Sequence, residues 1–138
     1  MWIDGRGSEV LSSAECLRLL AEAAKKGSIG RLAVSQDGAP IVHPVNFAYV
    51  DRQVVVRLGP GLMEHAAAGA LVAFEVDEVD REGAKAWSVL VRGLATELAV
   101  PAHPDAARPG PAPLVPEPGE KLLAVRADVV TGRRFQLR

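Results

Sequence analysis

Residues Gly30 to Glu78 read GRLAVSQDGAPIVHPVNFAYVDRQVVVRLGPGLMEHAAAGALVAFEVDE, and the punctuation of this stretch decides the fold class. Ile29 to Gln36, Ala39 to Val50 and Gln53 to Leu58 are rich in Val, Ile and aromatic residues. They are separated by the dipeptides Asp37-Gly38 and Asp51-Arg52, which read as two-residue hairpin turns. Consecutive hairpins predict an antiparallel sheet. A Gly/Pro-rich turn after Arg57 leads into the alanine-rich run Met63 to Gly69, which reads as a short helix. Leu71 to Val79 returns to strand alternation, with Val72, Phe74 and Val76 on one face and Ala73, Glu75 and Asp77 on the other.

Outward from this core, Ser12-Ser13-Ala14-Glu15 has the form of a capping box, with Ser12 as cap and Glu15 reaching back. Cys16, Leu17, Leu20, Ala23 and Ala24 recur at helical spacing up to Lys25-Lys26-Gly27, so 1–28 reads as a helical lead whose apolar stripe covers one mouth of a barrel. Asp80 to Lys85 is a polar loop. Ala86 to Val100 is the longest β-run, and its Gly93 marks a bulge or a close backbone approach. The Pro/Gly-rich segment 101–119 has little to bury and reads as a surface loop. Lys121 to Val130 and Arg133 to Leu137 supply the closing strands.

The order strand, turn, strand with His43-Pro44-Val45-Asn46, strand ending on Arg57, Gly-rich turn and helix resembles the pyridoxamine 5'-phosphate oxidase-like, flavin-binding split-barrel superfamily. The resemblance continues through Ala86-Trp87-Ser88-Val89-Leu90-Val91-Arg92-Gly93 to Thr131-Gly132-Arg133-Arg134-Phe135. It implies a mainly β (α+β) fold in one domain, 1–138: a Greek-key-like, antiparallel split β-barrel of about six or seven strands, with an N-terminal helix and a short helix after the third strand. It also implies a homodimer with flavin mononucleotide (FMN) held at the subunit interface.

Arg57 is the phosphate candidate. Its guanidinium can bind phosphate oxygens bidentately, and the helix that follows adds partial positive charge at its N-terminus. Related chains place a hydroxyl residue after this arginine, and a small residue and a lysine after the turn glycine. Here those positions are Leu58, Leu62 and Met63, and the lost contacts are worth about 1–3 kcal/mol each. His65 is the one nearby residue able to stand in for the lysine. Pro44, Val45 and Asn46 match the strand whose main chain runs beside the flavin ring; Asn46 either donates to the ring or satisfies the strand end. Trp87 and Ser88 match positions that reach the flavin from the partner subunit, or else Trp87 anchors an interface that includes Val89 to Val91. Arg92 either faces the cofactor or pairs with Glu75 or Asp77 across the sheet. Thr131 to Phe135 resembles the closing segment of small actinobacterial-type members. It lacks the tryptophan of the better-known oxidases, which argues against pyridoxamine phosphate as substrate.

With 138 residues, 49% hydrophobic content and a net charge of -1, the chain carries no single-sign field for nucleic acid or an anionic membrane. The single cysteine, Cys16, cannot form an intramolecular disulfide, and no signal or spanning segment is visible; a cytoplasmic protein is expected. His43, His65 and His103 lack metal-ligand spacing. The serines lack a nucleophile elbow, and the glycines form neither a dinucleotide fingerprint nor a P-loop. Three functions remain: a flavin-dependent oxidoreductase, a deazaflavin-dependent reductase, or a cofactor-free barrel that binds a small ligand or a partner.

Overall fold

A computed structural model of the chain describes residues 7–61, 69–98 and 121–137, and the backbone of residues 2–3. The helix α1 (Ser13–Lys26) follows two short strands, β1 (Trp2–Ile3) and β2 (Glu9–Val10). Then come β3 (Ile29–Gln36), β4 (Ala39–Val50), β5 (Gln53–Leu58), β6 (Leu71–Asp80), β7 (Lys85–Leu98), β8 (Lys121–Arg126) and β9 (Val129–Gln136). All pairings are antiparallel. The order β7-β6-β3-β4-β5-β8 closes on itself through a second pairing of β7 with β8, which makes a six-stranded barrel. Strand β9 extends it on the other flank of β7, followed by β2 and β1. The mainly β split barrel with an N-terminal helix therefore stands.

Both predicted hairpin turns are present. Gln36 pairs with Ala39 across Asp37-Gly38, and Val50 with Gln53 across Asp51-Arg52. All four turn residues have positive φ, the type I′ geometry that matches strand twist. Ser12 accepts from the Glu15 N–H at 3.2 Å, as a cap should, while the Glu15 carboxylate lies 3.7 Å from Arg134. At the other end Gly27, at φ 76, completes a Schellman motif: Gly27 N–H donates to Ala24 C=O and Ser28 N–H to Ala23 C=O.

The α1 residues Cys16, Leu19, Leu20 and Ala23 pack with the inward residues of the barrel, among them Leu32, Phe47, Val56, Phe74, Val76, Val89 and Leu123. The Phe47 and Phe74 rings meet at 4.7 Å and 59°, near the tilted arrangement that aromatic pairs favour. A smaller cluster of Val55, Leu122 and Ala124 lies on the opposite face of the β5–β8 wall.

Strand β7 changes partners. Lys85 to Arg92 pair with β9, and Ala95 to Leu98 with β8. At the switch, Gly93 sits so close to the Arg126 carbonyl that a side chain there would overlap it, so the expected close backbone approach is real. The continuous strand expected from Lys121 to Val130 is instead broken at Ala127–Asp128. Ala127 N–H leaves the ladder to donate to the Arg52 carbonyl at 2.9 Å, and the chain crosses from β8 to β9. The chain is already helical at Pro60 and Gly61. Apart from Gly69, the segment Met63 to Gly69 lies outside the described residues, as does the Pro/Gly-rich segment 101–119.

Candidate functional site

Alternation along β3, β4, β6, β7 and β9 leaves one broad outer face, and the registers arrange its side chains in rows. Arg133 lies opposite Ser88, and Ser88 opposite Asp77. Continuing the β3–β6 register brings Asp77 to Ile29, which faces Asn46. Continuing the β4–β5 register brings Asn46 to Arg57. The next row runs Thr131, Leu90, Glu75, Arg31 and Pro44; the one after it runs Val129, Arg92, Ala73, Ala33 and Val42. Val42, Leu71, Val79, Val129 and Phe135 are exposed large apolar side chains on this face.

At one end of the first row β4 offers its main chain. Among the described residues Ala39 to Val45 pair with β3 alone, and the ladder to β5 begins at Phe47. Pro40 and Pro44 fit such an edge, since a residue without an N–H is tolerated where one flank is unpaired, and prolines blunt strand addition. The open edge leaves backbone donors and acceptors beside the half-buried Asn46 and Arg57, just before the chain turns helical. Planar polar heterocycles are bound by such edges, and anions by an arginine near a helix N-terminus.

The predicted residues divide by face. Pro44, Asn46, Arg57 and Ser88 share the outer one. Val45 and Leu58 point inward, at 7% and 3% exposure, and are part of the core; only their backbones can meet a ligand. Trp87 and Ser88, though adjacent, lie on opposite faces, and the half-buried Trp87 ring packs against the core. Val89 and Val91 are fully buried, so what this stretch presents outward is Ser88, Leu90 and Arg92. Met63 and His65 lie outside the described residues. Along the row, β4, β3 and β6 lie between Arg57 on β5 and Ser88 on β7.

The expected pairing of Arg92 with Glu75 or Asp77 is not what forms. Arg31 takes both carboxylates, at 3.3 Å and 3.4 Å, because β3 sets it directly opposite Glu75, whereas Arg92 faces Ala73. Burial and the hydrogen bond and negative charge of Asp77 push the Glu75 carboxyl up to about 7, against the opposing pull of Arg31. Sequence reasoning missed this triad, although Arg31, Glu75 and Asp77 all stand in the outward phase of their strands. At the far end of the row Arg133 donates to the buried Ser8 hydroxyl at 2.9 Å, and Arg134 lies 3.3 Å from Glu9, which fastens β2 to β9. Among the described residues there is no group of three or more His, Cys, Asp or Glu side chains able to hold a metal ion. No described helix is long and apolar enough to cross a membrane.

Comparison with known proteins gives concordant matches. The uncharacterised protein Rv0080 of Mycobacterium tuberculosis is 32% identical over 131 residues, covering 91% of this chain and 84% of the relative. Among solved structures, the FAD binding protein from Mycobacterium smegmatis is 31% identical with a TM-score of 0.74, over 94% of this chain and 100% of that one. An FAD-binding protein from Mesorhizobium loti is 25% identical with a TM-score of 0.67, over 94% and 99%. The family model described as pyridoxamine 5'-phosphate oxidase matches residues 12–134, nearly the whole described barrel and its helix, and the chain belongs to that family.

Proposed function

We propose that this chain is a flavin-binding, oxidoreductase-like protein that acts as a homodimer, with the ring lying along the open edge of β4 and the phosphate at Arg57. The observation that carries the reading is the conjunction of that β4 edge, paired on one flank among the described residues, with Arg57 and Asn46 at its end, in a family whose relatives include FAD-binding proteins. When bound, the flavin supplies hydride and electron transfer. The protein's part is to hold and exclude. Arg57 binds phosphate oxygens, the β4 main chain and the Asn46 carboxamide read the polar rim of the ring, and Val45 and Leu58 stiffen the wall behind it. Ser88 approaches from a second copy, as the resemblance to the family implies. The outer face around Ser88, Leu90 and Phe135 is the surface that the second copy covers. The FAD-binding relatives support FAD over FMN, since a dinucleotide adds contacts beyond a phosphate corner where Leu62 and Met63 stand in place of the family's small residue and lysine.

The test is direct. The visible spectrum of the purified protein is recorded, and FMN, FAD and a deazaflavin are titrated separately while fluorescence is followed, with sedimentation on the same samples. A flavin is expected to bind, Arg57→Ala to weaken it by about 1.5–3 kcal/mol, and Met63→Lys to tighten it. A colourless protein that answers to none of the three cofactors would leave the cofactor-free barrel as the better account. A response to the deazaflavin alone would select that reductase instead, and a monomer at micromolar concentration would remove the shared site.

A further inference from the structure

Beyond the rows assigned to the flavin, the outer face carries a groove of about 490 Å³. That volume lies within the range of small-molecule sites. Its walls include Ala33, Pro40, Leu71, Ala73 and Val129, and Arg92 stands among them. Leu71 is 77% exposed and Val129 45%, so much of this apolar wall lies open to solvent. The charges are unevenly committed. Arg31, in the neighbouring row, holds Glu75 and Asp77. Asp128, the carboxylate that lines the groove, lies 3.4 Å from Arg126. The Arg92 guanidinium makes no hydrogen bond or ion pair among the described residues, and its cross-strand neighbours, Ala73 and Val129, are apolar. One uncommitted guanidinium above bare apolar walls is complementary to a molecule with one anionic end and an apolar body.

We infer that this groove binds a small amphipathic carboxylate, its carboxylate on Arg92 and its hydrocarbon part along Leu71, Pro40 and Val129. The inference stands apart from the flavin reading, because the groove lies two rows from Asn46 and Arg57. The probes are sodium octanoate, 1-octanol and inorganic phosphate, titrated calorimetrically into the full chain. Octanoate is expected to bind at least about tenfold more tightly than the alcohol or phosphate, since both halves of the site must be engaged. Arg92→Gln should bring octanoate down to the level of the alcohol, and Arg92→Lys should keep part of the difference. Leu71→Ser should weaken both organic probes, and Arg81→Gln, on the turn between β6 and β7, should change nothing. Thermal melts establish that each variant folds. Octanoate that fails to bind, binds no better than octanol or phosphate, or is indifferent to Arg92→Gln would overturn the assignment. Flavin titration of Arg92→Gln separates the two readings: retained flavin binding with lost octanoate binding is the expected result.

Discussion

Replacing Glu75 with Gln should make the protein more stable at neutral pH and remove much of its pH dependence. Glu75 ionises at about 7 in the folded protein against an ordinary value of 4.5, chiefly because the strand surface desolvates it and Asp77 lies beside it. Folding therefore favours the protonated carboxyl. The stability gained this way is complete below about 4.5 and is lost as pH rises through about 7. At about 1.4 kcal/mol per tenfold change in proton affinity, that interval sets an upper bound of roughly 3 kcal/mol. Glu75 keeps 33% of its side-chain surface in water and Arg31 keeps 49%, so solvent screening reduces the effect to roughly 1–2 kcal/mol. Because the two carboxylates titrate together, the value belongs to the pair rather than to Glu75 alone. Gln keeps the shape and can donate to Asp77 at every pH. Urea unfolding of wild type and Glu75→Gln between pH 4 and pH 8 measures this directly. The curves should coincide at the acid end and separate by roughly 1–2 kcal/mol at pH 8, with the variant more stable. An unchanged pH slope in the variant, or a loss of stability at pH 8, would show that the carboxyl pair is not strained.

Two further changes test the barrel. Gly93→Ala sets a methyl group against the Arg126 carbonyl at the point where β7 changes partners. It should cost at least about 1–3 kcal/mol in chemical denaturation, the range for forced backbone shifts; a neutral result would mean that the approach of β7 to the β8–β9 corner is looser than described. Arg52→Gly relieves a non-glycine residue at φ 60 and should raise stability by about 0.5–1 kcal/mol, read as a higher melting temperature. It keeps the carbonyl that accepts from Ala127.

Local chemistry made much of this fold legible. Asp37-Gly38 announces its turn because Asp and Gly accept positive φ, Asp51-Arg52 does so through Asp51, and Ser12 and Gly27 announce the ends of α1 by their own local chemistry. The phase of Val72, Phe74 and Val76 announces which side of β6 is buried. The break at Ala127–Asp128 was not legible, because its cause is a carbonyl some seventy residues earlier, at Arg52. Arg92 was matched to the wrong carboxylates for a related reason. Pairing of β6 with β7 follows from a short connection, but pairing of β6 with β3 is set by barrel closure, and that is what places Arg31 opposite Glu75.

The candidate site divides along the same line. Which face a residue takes follows from alternation, and the adjacency of Trp87 and Ser88 in sequence already separates them in space once Val89 and Val91 are recognised as core. Which strand lies next to which does not follow, and the row from Arg133 through Ser88, Asp77 and Asn46 to Arg57 exists only after β3, β4, β6, β7 and β9 have found their order. That order sets β4, β3 and β6 between Arg57 and Ser88, although the family resemblance assigns both to one cofactor. A surface that splits a binding set in two, and carries exposed Phe135 near Ser88, fits the proposed two-fold dimer. In the proposed dimer an isologous contact would bring each half to the other's complement without any change inside the barrel. Loss of dimerisation and loss of flavin should therefore travel together when the outer face is altered at Leu90, whereas Arg57→Ala should release flavin and leave the dimer intact.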